Sequence, residues 1–306
     1  MSGNLFQTGK YKAEPIKAEI APLLRQLVIK ELLDKYPNTE YCCIGSIGKK
    51  KDGEYNGDID IAVKVDNIEE LEKIINDVFG YTETVTSKSY YIVSMKYPYK
   101  DILDDEALDK INCKIKFASV DFMVMRDKEY TKFRYYCPDY RKNESKYKVG
   151  VKIMWANTIL NHCKERFEGV NIKEGEIGMF RFVPDGLWQT IFKPSENFKV
   201  ISKKFITTDV DKIVNMVFDD GDRSHFNSVE TLWEGIHSKH YKYPEEVKRL
   251  EASLMINSYR KSWKENINPR DFEFKYWTYE EIDKMLIPYK QEKIINKMLD
   301  KANEVS

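Results

Sequence analysis

The sequence lacks net charge and long apolar runs. Lysine plus arginine and aspartate plus glutamate both number 50 among its 306 residues. Because proteins that coat long nucleic acids usually carry a positive excess, we expect at most a local basic groove or the binding of a short nucleic-acid end. No segment approaches the roughly 18 apolar residues that span a bilayer, and the N-terminus lacks the apolar region of a signal peptide. These absences predict a soluble, cytoplasmic protein without membrane contact.

Cysteine is also scarce, with five residues in mostly apolar segments. The odd number is typical of buried thiols in a reducing compartment rather than of a disulfide framework. The sequence contains no zinc knuckle, no Walker glycine-lysine loop and no serine nucleophile elbow. Its hydrophobic content of 42% and aromatic content of 13% are enough for a packed core, which argues against wholesale disorder.

One stretch, residues 41–65, concentrates the residues that suggest chemistry. A short apolar run enters Gly45-Ser46, a turn that exposes backbone N–H groups. A basic turn follows before the chain becomes extended again at Asp58-Ile59-Asp60-Ile61. The three basic residues of that turn are Lys49, Lys50 and Lys51.

The two aspartates of the extended segment are expected to project together. Alternation in a strand places Asp58 and Asp60 on one face, while Ile59, Ile61 and Val63 face the core. A charge inside an apolar strand is expensive unless a cation offsets it. Mg²⁺ prefers oxygen ligands, often one or two carboxylates plus substrate phosphates. The alternative is a hairpin whose aspartates are simply solvated.

This pattern resembles the signature of the DNA polymerase beta-like nucleotidyltransferase superfamily. That signature combines a glycine-serine pair, a short spacer and an acidic-x-acidic strand, and it expects a third carboxylate on a later strand. Asp121, inside the apolar run 114–125, is the candidate. The resemblance covers roughly the first 130 residues. The spacer is slightly long, and lysine stands where the superfamily often has arginine, so the lysine that meets the triphosphate stays open.

The helical patterns after residue 145 predict a mainly helical substrate or acceptor domain over 146–306. The resemblance, which covers only the first part, implies a mixed-sheet, palm-like nucleotidyltransferase domain over residues 1–145, so the expected fold class is α+β. It implies that Asp58, Asp60 and Asp121 are the catalytic residues and hold two Mg²⁺ ions, with Mn²⁺ as a substitute. The other nucleotide contacts that we expect come from the turn and from a tyrosine-rich basic stretch after Asp121: Gly45, Ser46, Lys49, Lys50, Arg141, Lys146 and Lys148. The plain alternative for that stretch, residues 130–148, is a polar linker.

Hydrophobic periodicity and breakers give the expected elements. In the first part these are a helix within 14–36, strands at 41–44 and 58–65, a helix at 67–79 capped by Asn67, one or two strands within 82–97 that end at Pro98, and a strand at 113–126. In the second part they are helices at 147–167, 208–218, 228–237, 244–263 and 278–302, with β-type patches at 179–183 and 188–192.

The function implied is transfer of a nucleoside monophosphate from ATP or another nucleoside triphosphate to an acceptor hydroxyl, with release of pyrophosphate. Candidate acceptors are a nucleic-acid 3′ end, a second nucleotide, a small hydroxylated molecule such as an antibiotic, and a protein side chain. The nearest alternative is a synthase of cyclic or linear oligonucleotide second messengers. A nucleotide-binding module that has lost turnover, and a structural protein with a chance motif, are the others.

Overall fold

The computed structural model describes residues 6, 13–88, 90–100, 115–163, 172–260 and 267–291. They form two compact units, which we describe separately. The first contains the described residues up to Val149 together with 183–187 and 206–210, and the second contains the remainder. Within these residues, no helix combines the length and the apolar character that crossing a membrane requires.

The first unit is built on a mixed five-stranded sheet. Its strands are β2 (Tyr41–Cys43), β4 (Ile59–Lys64), β5 (Thr84–Ser87), β6 (Ile92–Lys100) and β7 (Ile115–Met125), in the spatial order β2-β4-β7-β6-β5. The β4–β7 pair is parallel and the other pairs are antiparallel. Two short strands, β1 (Ile16–Lys17) and β3 (Tyr55–Asn56), form a separate pair. The prediction of an α+β chain with a mixed sheet is confirmed.

Two helices cover one face of this sheet, α1 (Ala21–Lys35) and α2 (Ile68–Phe79). A proline lies in the first turn of α1, where its missing N–H costs nothing. The predicted cap of α2 is confirmed, since Asn67 Oδ1 accepts a hydrogen bond from Glu70 N at 2.8 Å. Ile59, Ile61 and Val63 are fully buried against these helices, as alternation predicts.

The prediction that the strand region ends at Pro98 is wrong. Pro98 lies inside β6 and pairs with Phe117 of β7. Two residues earlier, Lys96 N donates a hydrogen bond to Glu83 O on the β5 side. Backbone nitrogens two residues apart in a strand point to the same side, so the nitrogen of Pro98 also points away from β7. The β5 pairing reaches only Met95. Proline therefore removes no ladder hydrogen bond at this site and is tolerated.

The opposite face of the sheet carries a smaller apolar cluster. Tyr135 packs against it just after α3 (Lys128–Arg134). The cluster consists of Cys42, Ile44, Ala62, Met123 and Met125. Asp60 is two residues from Ala62, and Asp121 is two residues from Met123, so alternation places both aspartates on this face.

The second part of the chain combines helices with a three-stranded sheet. The helices are α4 (Val149–Leu160), α5 (Val210–Asn215), α6 (Val229–His237), α7 (Val247–Arg260) and residues 279–291. The strands are β8 (Ile177–Val183), β9 (Gly186–Lys193) and β10 (Lys199–Thr207), in the order β10-β9-β8. They include both predicted β-type patches. The expected helix ends at Phe167, Trp263 and Ala302 lie outside the described residues.

Candidate metal centre

The strand register brings the predicted carboxylates together. Asp60 of β4 lies directly opposite Asp121 in the parallel β4–β7 pair. On the other side of β7, Ser94 of β6 is the antiparallel partner of Asp121. Three polar side chains thus form a row across three adjacent strands, on the face away from α1 and α2.

Asp58, at the entrance to β4, completes a compact cluster. One carboxylate oxygen from each of Asp58, Asp60 and Asp121 lies within 4.8 Å of the other two. Asp121 is only 1% exposed. Like charges directly opposite each other destabilise a strand pair, and a buried charge is costly without a partner. Protons or a cation are therefore needed to stabilise this arrangement.

The electrostatics of the cluster follow from burial and crowding. Burial, followed by the charge of Asp58, raises the pKa of Asp121 to about 7, while the hydrogen bond that Ser94 Oγ donates to Asp121 Oδ1 at 2.7 Å acts in the opposite direction. Burial, and then the charges of Asp58 and Asp121, raise the pKa of Asp60 well above its ordinary value. A divalent cation would displace protons from these groups on binding.

The donor set fits a hard cation. All three groups offer carboxylate oxygens, which suit Mg²⁺ or Mn²⁺, whereas zinc sites usually contain histidine or cysteine. Among the residues that the structure describes, this is the one group of three such ligands whose donor atoms lie this close together. The three carboxylates could therefore hold a metal ion, and their donor atoms are of the type that the predicted Mg²⁺ prefers.

Gly45 places the turn backbone directly against the cluster. Its φ of +77° lies in the left-handed region, which favours glycine. A Cβ added at this position would lie 3.0 Å from Asp60 Cγ and closer still to Oδ2. Any side chain here would displace the carboxylate, so the glycine of the motif is required by contact as well as by conformation.

Ser46 is held by the side chain of Asn56, in the short strand β3. Ser46 Oγ donates to Asn56 Oδ1 at 3.0 Å. Asn56 is fully buried, and its Nδ2 has no hydrogen-bond partner within the described part of the chain. A rotation of the amide by 180° would let Nδ2 donate to Ser46 Oγ. The serine hydroxyl would then be able to donate its own hydrogen bond to an anionic oxygen.

The two predicted lysines contact main-chain carbonyls. Lys49 Nζ donates to Cys137 O and lies 5.2 Å from the centre of the Tyr136 ring. Lys50 Nζ donates to Tyr55 O at 2.6 Å. Both ammonium groups would have to exchange these carbonyls for phosphate oxygens when a nucleotide binds.

The basic residues after α3 make local contacts. Arg141 forms a bidentate pair with Asp139, with Nε–Oδ1 and NH2–Oδ2 distances of 2.9 and 2.7 Å. Lys146 Nζ lies 5.8 Å from the centre of the Tyr147 ring, and Lys148 is exposed. Arg141 is thus engaged by a carboxylate, and a nucleotide role for these three residues stays a prediction.

No protein-family model and no curated protein sequence matches this chain. The resemblance to the nucleotidyltransferase superfamily therefore depends on Gly45-Ser46 and the three aspartates themselves.

Two further residues near the cluster were not predicted. The charges of Asp60 and Asp121 contribute to the raised pKa of Tyr135, although burial is the main cause. The Arg134 guanidinium lies 4.4 Å from the centre of the Tyr135 ring. Both residues belong to the tyrosine-rich basic stretch. By contrast, no sequence signal marks Ser94, since its position opposite Asp121 depends on strand register.

An open groove of about 480 Å³ lies in the same unit, between α1 and the edge strand β2. Its lining includes Arg25, Gln26, Lys30, Tyr41 and Cys43. The positive charge of Arg25 partly counteracts the rise in the Asp60 pKa, so this side chain acts electrostatically on the carboxylate cluster. The groove is within the size range of small-molecule sites.

Proposed function

We propose that this protein is a metal-dependent nucleotidyltransferase that transfers a nucleoside monophosphate from a nucleoside triphosphate to an acceptor hydroxyl and releases pyrophosphate. The observation that supports it best is the cluster of Asp58, Asp60 and Asp121, with Asp60 and Asp121 opposed on neighbouring strands. A fold without a cation to bind gains nothing from this repulsive, half-buried arrangement.

The three aspartates would hold Mg²⁺, or Mn²⁺ in its place. When bound, divalent cations in such a site stabilise charge on the attacking and leaving oxygens of an in-line displacement. The Gly45 backbone fixes the position of the Asp60 carboxylate, and Ser94 orients that of Asp121 through Oδ1.

Asp121 is the residue that we assign to proton transfer. The pKa of about 7 belongs to the metal-free cluster. A bound cation would displace the proton, so the carboxylate would be ionised and able to act as a general base. The carboxylate would accept the proton of the acceptor hydroxyl as that oxygen attacks the α-phosphorus. The Ser94 hydroxyl keeps the carboxylate oriented during this step.

The triphosphate would lie against the turn that follows β2. Gly45 and Gly48 both have left-handed backbone conformations, with φ of +77° and +80°, and such turns direct backbone N–H groups toward an anion. Ser46 would donate its hydroxyl proton once Asn56 supplies Nδ2, and Lys49 or Lys50 would neutralise charge that develops on the leaving pyrophosphate.

The test is pyrophosphate release from each NTP and dNTP with Mg²⁺ or Mn²⁺, in the presence and absence of a mixed RNA pool. Asp58→Asn and Asp121→Asn should each lower turnover at least about 100-fold, because small displacements of a catalytic group already have effects of that size. The matched control is Asp66→Asn, the same change at an exposed aspartate just after β4. Equal activity in Asp58→Asn and Asp66→Asn would refute the site assignment.

The outcome with RNA separates the candidate acceptors. Release that requires RNA would indicate transfer to a nucleic-acid end. Release without RNA would indicate nucleotide-to-nucleotide chemistry, and the mass of the product would identify it. Tight nucleotide binding without release in any condition would indicate a binding module and contradict the proposal of an active enzyme.

A further inference from the structure

The β9–β10 hairpin of the second unit has an unusual surface. Seven of the nine residues of β10, Lys199 to Phe205, are exposed in the part of the chain that the structure describes. A strand with one face on a core would alternate between buried and exposed residues. β10 is also an edge strand, so both faces and one edge are open to a ligand.

The connection between β9 and β10 presents an aromatic side chain. Phe198 has a φ of +56° and follows Asn197, whose φ is +55°. These two residues end the connection 194–198 between the strands, after a short 3-10 helix at Pro194–Glu196. A bulky residue with this φ is an outlier, yet Phe198 is 61% exposed and gains little packing in return. Strain of this kind suggests that the residue is kept for a function.

The hairpin also concentrates positive charge. Residues 193–205 contain four lysines and one glutamate, in a chain whose net charge is zero. Lys193 and Lys199 both pair with Glu196. Lys203 and Lys204 are exposed and form no ion pair with another described residue. These two ammonium groups are available to an anionic ligand.

Aromatic rings flank the lysines. Phe205 is 37% exposed and packs edge-to-face on Trp188 of β9, with ring centres 5.3 Å apart. The exposed rings of Phe198 and Phe205 thus lie at the two ends of the basic segment. Proteins that bind single-stranded nucleic acid combine lysines and arginines along the backbone with aromatic rings on which bases stack.

A second copy of the chain is a poorer occupant of this strand. Antiparallel pairing of two β10 edges would bring lysines of one copy toward lysines of the other, and like charges across strands are destabilising. Lysines on an edge strand discourage such pairing. A polyanion with planar bases matches both the charge and the aromatic rings.

We propose that the β9–β10 hairpin binds single-stranded nucleic acid along the open edge of β10. Lys203 and Lys204 would contact phosphates from the two faces of the strand, and bases would stack on Phe198 and Phe205. The inference rests on the proposed function in one respect: it names a nucleic-acid strand as the class of acceptor. Its test is a binding measurement, which is independent of turnover.

The experiment uses the full-length protein and fluorescence anisotropy with labelled oligo(U), oligo(dT) and a duplex, each of about 20 nucleotides, between about 50 and 200 mM salt. The single strands should bind more tightly than the duplex, and oligo(U) against oligo(dT) distinguishes RNA from DNA. The double variant Lys203→Glu/Lys204→Glu should reduce the salt dependence by about 1.4 in log–log slope, since each phosphate contact on a single strand contributes about 0.7. The control Lys239→Glu/Lys284→Glu makes the same charge change at two exposed lysines of the same unit and should leave binding unchanged.

Phe198→Gly separates stacking from folding. Glycine removes the left-handed strain, so the melting temperature should stay the same or rise, whereas affinity for the single strands should fall about fivefold or more if a base stacks on the ring. No binding by the wild-type chain at low salt, equal losses in the lysine pair and its control, or full affinity in both hairpin variants would each overturn the proposal. Pyrophosphate release without strand binding would refute the hairpin inference alone, and strand binding without release would refute the proposed activity alone.

Discussion

Replacement of Gly45 by alanine tests whether the turn backbone positions the Asp60 carboxylate. The added Cβ would lie 3.0 Å from Asp60 Cγ, whereas ordinary contacts begin at about 3.4 Å. The carboxylate must therefore move by at least 0.4 Å at Cγ and by more at Oδ2. Metal ligands tolerate deviations of only about 0.2 Å. We expect Asp60 to be lost as a ligand and metal affinity to fall by about 10-fold or more.

Gly48 provides a matched control for the backbone. Its φ of +80° is close to the +77° of Gly45, but a Cβ at Gly48 would meet no atom within 4 Å. Both alanine variants should lose about 1–2 kcal/mol of stability, because each places a Cβ in the left-handed region. Only Gly45→Ala should also lose metal binding, so the difference between the variants isolates the displacement of Asp60.

The assay is Mn²⁺ titration by calorimetry, supported by the shift in melting temperature with metal concentration. A ligand that binds only the folded state stabilises it by RT ln(1 + [L]/Kd), so the two measurements must agree. Equal metal affinity in Gly45→Ala and Gly48→Ala would refute the reasoning.

Two further predictions concern single polar groups. Because the pKa of Asp121 rises from 3.8 to about 7 on folding, ionisation opposes the folded state, and the metal-free protein should lose stability as the pH rises through this window. In EDTA, the free energy of unfolding of Asp121→Asn at pH 8 should therefore exceed that of wild type by up to about 4 kcal/mol. Urea denaturation should show this difference in stability narrowing toward pH 4. A difference that does not change with pH would contradict the prediction. Asn56→Leu removes a buried donor without a partner among the described residues and also the acceptor of the Ser46 hydroxyl. These two effects on stability oppose each other, so stability should change little. The KM for nucleotide should rise, because Asn56 no longer holds Ser46 in place. An unchanged KM would exclude a positioning role for Asn56.

Local signals in the sequence were enough for part of the site. Alternation predicted that Asp60 of β4 and Asp58, just before β4, project together, because the side chains of a strand alternate with a period of two residues. The apolar run around Asp121 indicated a buried strand, and Asn67 indicated a helix start. Each of these depends on neighbours within a few positions.

The remaining features depend on long-range register. Ser94 lies opposite Asp121 only because β6 and β7 pair in one of several registers that their apolar patterns allow. Pro98 is tolerated because β5 is too short to reach it, which no signal at Pro98 itself could show. The burial of Asn56 Nδ2 without a hydrogen-bond partner among the described residues likewise depends on the folded turn and could not be predicted from the neighbouring residues.

The parallel β4–β7 pair also has a consequence for the order of folding. Asp60 and Asp121 are direct partners in the sheet but 61 positions apart in the chain. Closing a loop of that length costs conformational entropy before the strand pairing contributes any stabilising contacts. Parallel strand pairs are therefore intrinsically slow to form. The β5–β6 hairpin, whose strands are close in sequence, can form first and present an edge for β7. If the aspartates hold Mn²⁺ as proposed, its binding during refolding should coincide with the pairing of β4 with β7. The metal would then report on completion of this sheet.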